Sequence, residues 1–514
     1  MPARRLGRRR GPRAVKVLFV YPAHESLGLE CLSAALRRDG VETALAFDPV
    51  LFDEPGFVRS PLLARLFDRR AALRARARAF RPDLVAFSVT SDLFGWACRR
   101  ARELKTELGV PVAFGGIHPT ALPAQTLAED CVDYVVVGEG DAALVELARA
   151  LREGRTAHGL PGVWTRRDGK AEGGPVRPLI ADLDALPDPD KELYLRESPL
   201  FRDGYLVAAS RGCPMRCAYC CNDVYHKLYG GRTLRYRGPE RVLAELERAK
   251  AELRPAYVHF TDEVLNADRR WLAEFLPAYR ARVGLPFSCY LFPDLVDAEG
   301  ARALAAAGCF KAQMGVQVFD DEKRRSLLQR PSTRERIAGA IGALKAAGVY
   351  VTCDNMLGFP DETEAELAAL AAFYAEHAPD HCETFFLRYY PGASLTAWAL
   401  ANGHLAEASA RLVERGGIDG GIVRDDRLLK PFARRFLTLL AVLPLLPPRA
   451  RAALARGHRR VPALPNLPLR VAARLLNRPR WDFHTRRQVL RYLRFLPAFG
   501  ARGPCESRER RTLL

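Results

Sequence analysis

Two long stretches of the chain alternate strand-like and helix-like segments, and this alternation limits the fold more than any other feature. Residues 15–151 form the first series, in which apolar runs such as 16–21 and 84–90 are predicted strands. Residues 201–405 form the second series, in which six apolar runs, beginning with 205–210, precede mostly helical stretches. Strands and helices alternating at this spacing build parallel sheets. The sequence therefore predicts an α/β protein with two such sheets.

The two series predict different architectures. Residues 15–151 fit a doubly wound, Rossmann-like sheet, and residues 201–405 fit a partial TIM-like (βα)6 barrel. Both folds bind ligands at the carboxyl ends of their strands. Residues 152–200 are rich in Gly, Pro and Asp and are predicted to connect the two domains. Residues 406–514 are predicted to form a mainly helical, basic C-terminal region.

Basic residues are concentrated at the two ends of the chain. Of a net charge of +19, residues 411–514 supply 24 Lys and Arg against 7 Asp and Glu, and residues 1–13 contain six Arg and no acid. A basic end can bind nucleic acid or an anionic membrane surface, or it can be a solvated surface without a partner. An RNA-modifying enzyme is one alternative that follows from this charge, although no RNA-binding module is recognised.

The apolar segments and the cysteines indicate where in the cell the protein is located. No apolar run reaches the 18 residues of a spanning helix. The apolar segment 436–446 has basic flanks and can either lie in a lipid headgroup layer or pack as a buried helix. The twelve cysteines are scattered except at 213–221, which is no secreted disulfide framework. We expect a cytoplasmic protein, with peripheral membrane contact as an alternative.

Three cysteines stand close together directly after a predicted strand. Cys213, Cys217 and Cys220 occupy positions i, i+4 and i+7 of a loop, where their thiolates can converge on one metal centre. A 4Fe–4S cluster held by three thiolates leaves one iron free for a small molecule. A structural zinc ion needs four ligands, and His226 is the nearby candidate for the fourth. The spacing favours the iron–sulfur cluster.

The same loop resembles the signature of the radical S-adenosylmethionine (radical SAM) enzymes. Cys213, Cys217, Tyr219 and Cys220 match its C-x3-C-x-Φ-C pattern in full, and Cys221 falls outside it. The resemblance implies that SAM binds the open iron of a 4Fe–4S cluster. It also implies that an electron from the cluster cleaves SAM to a 5′-deoxyadenosyl radical, with the protein supplying orientation and water exclusion.

Further matches follow the signature in the order of the family's barrel strands. Residues 259–263 resemble the segment that meets the methionine amino group, 314–317 the segment near the ribose, and 354–363 the segment near the adenine. Residues 388–392 resemble the segment that ends the sixth barrel strand of the family. The resemblance implies a set of SAM-binding residues, which are Tyr219, Thr261, Asp262, Glu263, Gln317, Asn355 and Gly358.

The first series is similar to the cobalamin-binding domain that precedes the barrel in a large radical SAM subfamily. Small residues at its strand ends allow the backbone to approach a large flat ligand. A doubly wound sheet can also bind another nucleotide or nothing. The D-x-H-x-x-G motif of cobalamin mutases is missing, so a capping, phosphate-side or structural role is expected for His118 instead of cobalt ligation. The residues implied to bind cobalamin are Pro22, Gly28, Ser88, Thr90, Gly115, Gly116, His118, Gly138, Glu139 and Gly140.

Methylation of an unactivated carbon atom is the activity that this combination of cofactors implies first. Cobalamin-dependent cyclisation, rearrangement or oxidation is the alternative within the same architecture. The implied partners are a small-molecule or lipid-like substrate and an electron donor such as ferredoxin or flavodoxin. A lipid-modifying enzyme docked on a membrane is an alternative of another class. The sequence assigns no catalytic acid or base and no particular substrate.

Overall fold

The computed structural model of the protein describes residues 14–50, 61–231, 233–416 and 429–464. The basic segment 1–13 and the basic stretch after residue 464 lie outside these described residues. Within them, no helix combines the length and the apolar character that crossing a bilayer requires.

The first sheet has seven strands. They are β1 (Lys16–Pro22), β2 (Glu42–Asp48), β3 (Leu84–Ser88), β4 (Val112–Gly115), β5 (Tyr134–Val136), β6 (Val163–Arg167) and β7 (Lys170–Gly173). Their order across the sheet is β2-β1-β3-β4-β5-β6-β7, and the first five are parallel. Strand order reverses between β1 and β3, which is where doubly wound sheets bind their ligands.

Helices cover both faces of this sheet. They are α1 (Leu27–Arg38), α2 (Pro61–Leu66), α3 (Arg70–Phe80), α4 (Phe94–Leu108), α5 (Ile117–Ala121), α6 (Pro123–Ala128) and α7 (Gly140–Glu153). Because alternate side chains of a strand point to opposite faces, Val17 and Phe19 join one apolar cluster, and Leu18 and Val20 join another. Burial on both faces explains why β1 is apolar after its first residue, Lys16. The doubly wound domain is confirmed.

A β-hairpin that the sequence analysis missed lies in the segment predicted as a connector. Strands β6 and β7 are antiparallel and extend the first sheet beyond β5. The turn residues Asp168 and Gly169 both have positive φ, 50° and 79°. An Asp-Gly pair favours this type of two-residue hairpin turn. That dipeptide was the available sequence signal.

The second series contributes eight strands. They are β8 (Gly204–Val207), β9 (Ser210–Arg211), β10 (Arg235–Tyr236), β11 (Tyr257–Phe260), β12 (Phe287–Leu291), β13 (Cys309–Gln317), β14 (Tyr350–Leu357) and β15 (His381–Phe386). Six of them form a parallel sheet in the order β8-β11-β12-β13-β14-β15. Strands β9 and β10 form a separate antiparallel pair. The cysteine loop and a helix lie between them in the chain.

Helices of the second series pack around this sheet. They are α9 (Cys221–Tyr229), α10 (Pro239–Glu252), α11 (Arg269–Arg282), α12 (Ala298–Ala307), α13 (Asp321–Ser326), α14 (Arg334–Ala346), α15 (Glu364–His377) and α16 (Ser394–Ala401). The preceding helix α8 (Glu192–Leu195) lies in the connector and packs on β2 of the first sheet. Local signals define several of them, as in α15, where Thr363 and Glu366 form a capping box. The α/β class and the second parallel sheet are confirmed.

The C-terminal region contains helices α17 (Glu407–Glu414), α18 (Pro431–Val442) and α19 (Pro448–Arg456), of which α18 and α19 pack against the barrel helix α15. Phe436, Leu439 and Leu440 of α18 are buried, and α18 contacts α15 and β15. Arg435 forms a 3.0 Å ion pair with Glu364 of α15. Of the two alternatives for segment 436–446, the structure therefore supports the buried helix over a membrane-docking surface.

Candidate active site between the two domains

A cavity of about 420 Å³ lies between the two sheets. One wall consists of residues at the carboxyl ends of β1, β3, β4 and β5. The opposite wall consists of residues from β9, α9, β10 and the end of β11. This position includes the point where the strand order of the first sheet reverses, the usual ligand site of such sheets. The fold thus turns the ligand-binding edges of both domains toward each other.

Seven of the residues predicted to contact cobalamin line this cavity. They are Gly28, Ser88, Gly115, Gly116, Gly138, Glu139 and Gly140. Gly116 has a φ of +97°, and a Cβ atom at this position would lie 2.8 Å from the backbone N and O of Val89. Only glycine fits there without displacing the neighbouring strand end. This glycine-lined edge fits a large flat ligand that approaches the backbone closely.

Pro22, Thr90 and His118 do not line the cavity, and their contacts with cobalamin stay predictions. The side chain of His118 lies in the core of the first domain. Its ring is buried and stacks on Phe94 with the centroids 4.1 Å apart, and its Nδ1 lies 3.0 Å from Ser91 Oγ. Burial lowers the pKa of His118 to about 4. The side chain is therefore a neutral part of the core. Of the roles left open for it, the structural one is supported.

Gly138 and Glu139 connect the two domains. A Cβ atom on Gly138 would lie 2.1 Å from Tyr229 Oη, so the glycine leaves room for this tyrosine of α9. The Tyr229 hydroxyl accepts a 3.0 Å hydrogen bond from the Glu139 backbone N. The Glu139 carboxylate accepts hydrogen bonds from Arg235 Nη2 (2.7 Å) and from the backbone N of Ile180 (2.8 Å). Glu139, predicted to contact cobalamin, is engaged in an interdomain ion pair at the edge of the cavity.

Arg211 adds a second interdomain ion pair that the sequence analysis did not predict. Its guanidinium donates two hydrogen bonds to Asp141, of 2.9 and 3.0 Å. Such bidentate pairs fix orientation as well as distance. Arg211 precedes Gly212 and Cys213, so the first domain holds the strand that enters the cysteine loop. The sequence offered one signal for this pair. Arg211 comes just before the cysteine motif, and Asp141 comes directly after the Gly138–Gly140 segment.

The three predicted cluster ligands lie on the loop between β9 and α9. Cys213 and Cys217 are buried, and Val264 and Phe292 pack with Cys213 in an apolar cluster. Burial raises the pKa of the Cys213 thiol to about 12 and also raises the pKa of Cys217. Metal binding at this loop must therefore displace thiol protons. The surrounding apolar side chains exclude water, as oxidation-sensitive cluster chemistry requires.

The spacing of the three thiols argues against zinc. A tetrahedral ion with Zn–S bonds of about 2.3 Å needs sulfur atoms roughly 3.8 Å apart, and these three Sγ atoms do not form a set within 4.8 Å of one another. His226, the candidate fourth ligand, has both ring nitrogens within hydrogen-bonding distance of carbonyl oxygens, Gly231 O at 2.7 Å and Met215 O at 3.1 Å. The loop fits a 4Fe–4S cluster, whose thiolate ligands bind different iron atoms.

Two side chains that the sequence analysis missed donate hydrogen bonds to the ligand sulfur atoms. Arg330 Nη1 lies 3.6 Å from Cys217 Sγ, and Asn222 Nδ2 lies 3.7 Å from Cys220 Sγ. The Arg330 guanidinium also stacks on the ring of Phe292 at 4.3 Å. Donors to cluster sulfur atoms influence reduction potential. Arg330 is distant in sequence from Cys217, so no local pattern connects them.

The structure separates the predicted SAM-binding residues into two groups. Thr261 and Glu263 line the cavity. Asp262 is buried and accepts hydrogen bonds from Ser210 Oγ (2.5 Å) and the backbone N of Ala209 (3.0 Å), so it holds the segment after β8. These hydrogen bonds fix the position of the Asp262 carboxylate, and its contact with SAM stays a prediction.

Asn355 is likewise engaged inside the barrel. Its Nδ2 donates to the carbonyl oxygens of Cys353 and Glu383 at 3.2 Å, and its Oδ1 accepts a 2.7 Å hydrogen bond from Tyr374 Oη. It is fully buried. These contacts hold the Asn355 side chain against the neighbouring strand and α15, and its contact with SAM stays a prediction. Asparagine at a strand end looks the same in sequence whether its partner is a ligand or a neighbouring strand.

Three further predicted SAM-binding residues lie near the carboxyl ends of the barrel strands without lining the cavity between the domains. Tyr219 packs in an apolar cluster with Met356. Gln317 ends β13 with a φ of +66°. Gly358 follows β14 with a φ of +98°, and its N donates to Glu362. Their contacts with SAM stay predictions.

Two family descriptions match separate parts of the chain. The description "B12 binding domain" matches residues 15–148, and "Radical SAM superfamily" matches residues 207–374. The first range covers β1 to β5 and the second runs from β8 into α15. The matched regions are therefore the two domains whose edges form the cavity.

Individual relatives are distant in sequence. The chain is 28% identical over 331 residues to an uncharacterised methyltransferase of Pyrococcus horikoshii, covering 63% of this chain and 71% of that protein. It is 22% identical over 396 residues to the anaerobic magnesium-protoporphyrin IX monomethyl ester cyclase of Rubrivivax gelatinosus, covering 71% and 66%. The solved structure of TsrM from Kitasatospora setae, with cobalamin and a [4Fe-4S] cluster bound, has a TM-score of 0.61 and 19% identity, covering 88% of this chain and 100% of TsrM. That likeness shows a shared fold.

The fold, the cysteine loop and these matches define the class of protein: a radical SAM domain preceded by a B12-binding domain. The chain belongs to the cobalamin-binding radical SAM enzymes. Its cofactors are a 4Fe–4S cluster, SAM and cobalamin.

Proposed function

We propose that this enzyme methylates an unactivated carbon atom of a small-molecule substrate. The observation that carries the proposal is the cavity shared by both domains, with the glycine-lined strand ends on one wall and residues adjoining the cysteine loop on the other. A substrate between these walls would be within reach of both cofactors. The similarity to the uncharacterised methyltransferase of Pyrococcus horikoshii also supports this proposal.

The protein's own residues hold and orient the reacting groups. When bound, the cluster with SAM supplies a carbon-centred radical, and cobalamin supplies the methyl group. We assign Cys213, Cys217 and Cys220 to the cluster and Gly115 and Gly116 to the cobalamin edge. Thr261 and Glu263 line the shared cavity and are placed to contact SAM or the substrate. The ion pairs of Arg211 and Arg235 hold the two walls together.

Radical cyclisation is the second candidate. It rests on the similarity to the anaerobic magnesium-protoporphyrin IX monomethyl ester cyclase, which extends over 71% of this chain. Both activities use the same cavity and the same cysteine loop. They differ in whether a methyl group reaches the substrate, and this difference can be measured.

For partners, the proposal includes a one-electron donor such as ferredoxin or flavodoxin and a cytoplasmic location. The eleven cysteines within the described ranges are all free, which agrees with a reducing compartment. In the described part of the basic region, Arg435 pairs with Glu364, and Arg451 donates to the carbonyl oxygen of Ala375. These contacts use two arginines for packing on the barrel. The proposal keeps a small-molecule substrate as its first choice and RNA as the alternative.

The test begins with anaerobic reconstitution using iron, sulfide and cobalamin, followed by metal analysis of the desalted protein. About four irons and about one cobalt per chain are expected from the two cofactor sites. Reduced protein is then incubated with SAM and candidate substrates, and the products are quantified. Methyl transfer predicts S-adenosylhomocysteine and 5′-deoxyadenosine together, with added methyl mass in the substrate. Formation of 5′-deoxyadenosine with a dehydrogenated or cyclised product, and no S-adenosylhomocysteine, would contradict methyl transfer and favour cyclisation.

A further inference from the structure

A second group of metal-binding side chains lies in the first domain, outside the cavity. Cys98 of α4, Glu129 at the end of α6 and Cys131 just before β5 bring two Sγ atoms and one carboxylate oxygen within 4.8 Å of one another. In the part of the chain that the structure describes, these are the three side chains that meet this criterion. The similarity to radical SAM and B12-binding domains assigns them no role.

The donor set and its burial match a zinc ion. The thiols of Cys98 and Cys131 are buried, and the side chain of Glu129 is 28% exposed. Zinc in proteins binds thiolate sulfur at about 2.3 Å and carboxylate oxygen at about 2.0–2.2 Å in a tetrahedron, and a water molecule can take the fourth position. The exposed side of Glu129 gives that water access. Ligand atoms already within 4.8 Å need only small side-chain movements to close on one ion.

A divalent cation would neutralise most of the negative charge of the group. Two thiolates and one carboxylate carry three negative charges, and Zn²⁺ leaves one. Arg102, one helical turn after Cys98 on α4, donates from Nη2 to the Glu129 carboxylate and from Nε to Asp130 at 2.7 Å. Its positive charge is shared between Glu129 and Asp130 and so offsets part of the remaining negative charge, which is costly to bury unpaired. The same hydrogen bond orients the Glu129 carboxylate, as outer partners of metal ligands commonly do.

The position of the group indicates a structural ion. It lies before the amino end of β5, whereas the cavity is built from the carboxyl ends of the strands. It joins two segments far apart in sequence, helix α4 and the turn after α6. Binding would release the two thiol protons to solvent and would involve no change of oxidation state.

We propose that Cys98, Glu129 and Cys131 bind one Zn²⁺ with water as the fourth ligand, and that this ion ties the turn before β5 to α4. The site is independent of the cluster and of the methyl-transfer activity.

The first test uses the full-length, reconstituted enzyme without a histidine tag. After dialysis against a weak chelator, mass spectrometry of metals should find one zinc per chain in addition to the cluster iron. X-ray absorption at the zinc edge should show two sulfur neighbours at about 2.3 Å and two oxygen neighbours at about 2.0–2.2 Å. A protein that retains no zinc overturns the proposal. So does an isolated protein with a Cys98–Cys131 disulfide, seen as the loss of two hydrogen masses.

Single-cysteine substitutions test where the zinc ion binds. Cys98→Ser and Cys131→Ser should each reduce bound zinc more than tenfold and leave the iron content unchanged. Cys382→Ser, which alters another buried thiol, should keep the zinc. Cys213→Ala should lose the cluster and keep the zinc, which separates this site from zinc captured at an empty cluster loop. Zinc that disappears with Cys213→Ala contradicts the assignment. If the serine variants do not fold, X-ray absorption at the zinc edge of the unaltered enzyme still shows whether two sulfur atoms bind the ion.

Discussion

At the scale of single residues, two adjacent cysteines at the end of the cysteine loop occupy different environments. Cys220 caps α9, and its Sγ accepts a hydrogen bond from Asn222. The hydrogen bond with Cys221 lowers the pKa of Cys220 to about 7. Cys221 is the first residue of α9 and faces the cavity. Cys220 is therefore suited to bind the cluster, whereas its neighbour Cys221 faces the cavity.

The assignment of three cysteines as cluster ligands predicts which substitutions abolish SAM cleavage. Cys213→Ala, Cys217→Ala and Cys220→Ala should each reduce SAM cleavage to background, because each removes one of three protein ligands of the cluster. Cys221→Ala should keep both the iron and the cleavage. The measurements are iron content and 5′-deoxyadenosine formation by reduced protein. Cleavage that survives any of the first three substitutions would refute the ligand set.

His118 predicts a pH dependence of stability. Its pKa falls from about 6.5 in the unfolded chain to about 4 in the folded protein because the ring is buried. Between these values the unfolded state binds more protons, so the folded protein loses stability as pH falls below about 6.5. At pH 5 this linkage costs about 2 kcal/mol. At neutral pH this loss of stability is close to zero, because His118 is mostly unprotonated in both states.

The check is the difference in melting temperature between pH 7 and pH 5. His118→Phe keeps a ring against Phe94 and cannot be protonated, so this difference should be smaller than in the unaltered protein. His404, an exposed histidine that stacks on Trp398 at 4.8 Å, supplies the control substitution His404→Phe. An unchanged pH difference in His118→Phe would show that burial of this ring does not set the pH dependence.

At the scale of elements, the short β9–β10 pair links the cysteine loop to the first domain. Arg211 lies on β9 and pairs with Asp141, and Arg235 lies on β10 and pairs with Glu139. Both carboxylates follow β5 in the first domain. A movement of this segment on cobalamin binding would therefore be transmitted to the two strands that flank the cluster ligands.

The Glu139–Arg235 pair should stabilise the domain interface strongly. Both side chains are largely buried, with 15% and 16% exposure, and removing one partner of a buried pair costs about 3–5 kcal/mol. Glu139→Gln should lower the melting temperature and the cobalt content of the reconstituted protein. The exposed Glu407–Arg411 pair is the control, because surface pairs contribute little. Equal effects of Glu139→Gln and Glu407→Gln would contradict the interface role.

At the scale of the whole molecule, neither domain forms the active-site cavity alone. Its walls come from strand ends of both sheets, and the glycine edge of the first sheet faces α9 of the second. The two domains therefore need to dock correctly before cobalamin and SAM can act on one substrate. Such docking depends on side chains far apart in the sequence.

Gly116→Ala should abolish cobalamin binding without removing the cluster. The added Cβ would lie 2.8 Å from the backbone of Val89, at a φ of +97° that disfavours alanine. Gly154→Ala is the matched control in the same domain, since Gly154 has a φ of +64° but no heavy atom within 4 Å of the added Cβ. Cobalt and iron per chain are the measurements. Cobalt retained in Gly116→Ala would refute the assignment of this edge.

Much of the architecture follows from local properties of the chain. Alternating apolar and helical segments predicted both parallel sheets, because periodicity and burial of strand faces act over a few residues. The cysteine loop was recognisable because its three ligands lie within eight consecutive residues. The hairpin at Asp168–Gly169 had an equally local signal.

The tertiary structure alone decided which polar residues face the cavity. Asp262 and Asn355 turn inward to strand partners, Glu139 pairs with Arg235, and Arg330 reaches Cys217 from a distant segment. In each case the partner lies far away in sequence or on another strand. A side chain's hydrogen-bonding capacity is set by its chemistry, but the group that satisfies it is set by packing. The sequence therefore determined the two folds and the cluster loop, and the docking of the domains determined the site.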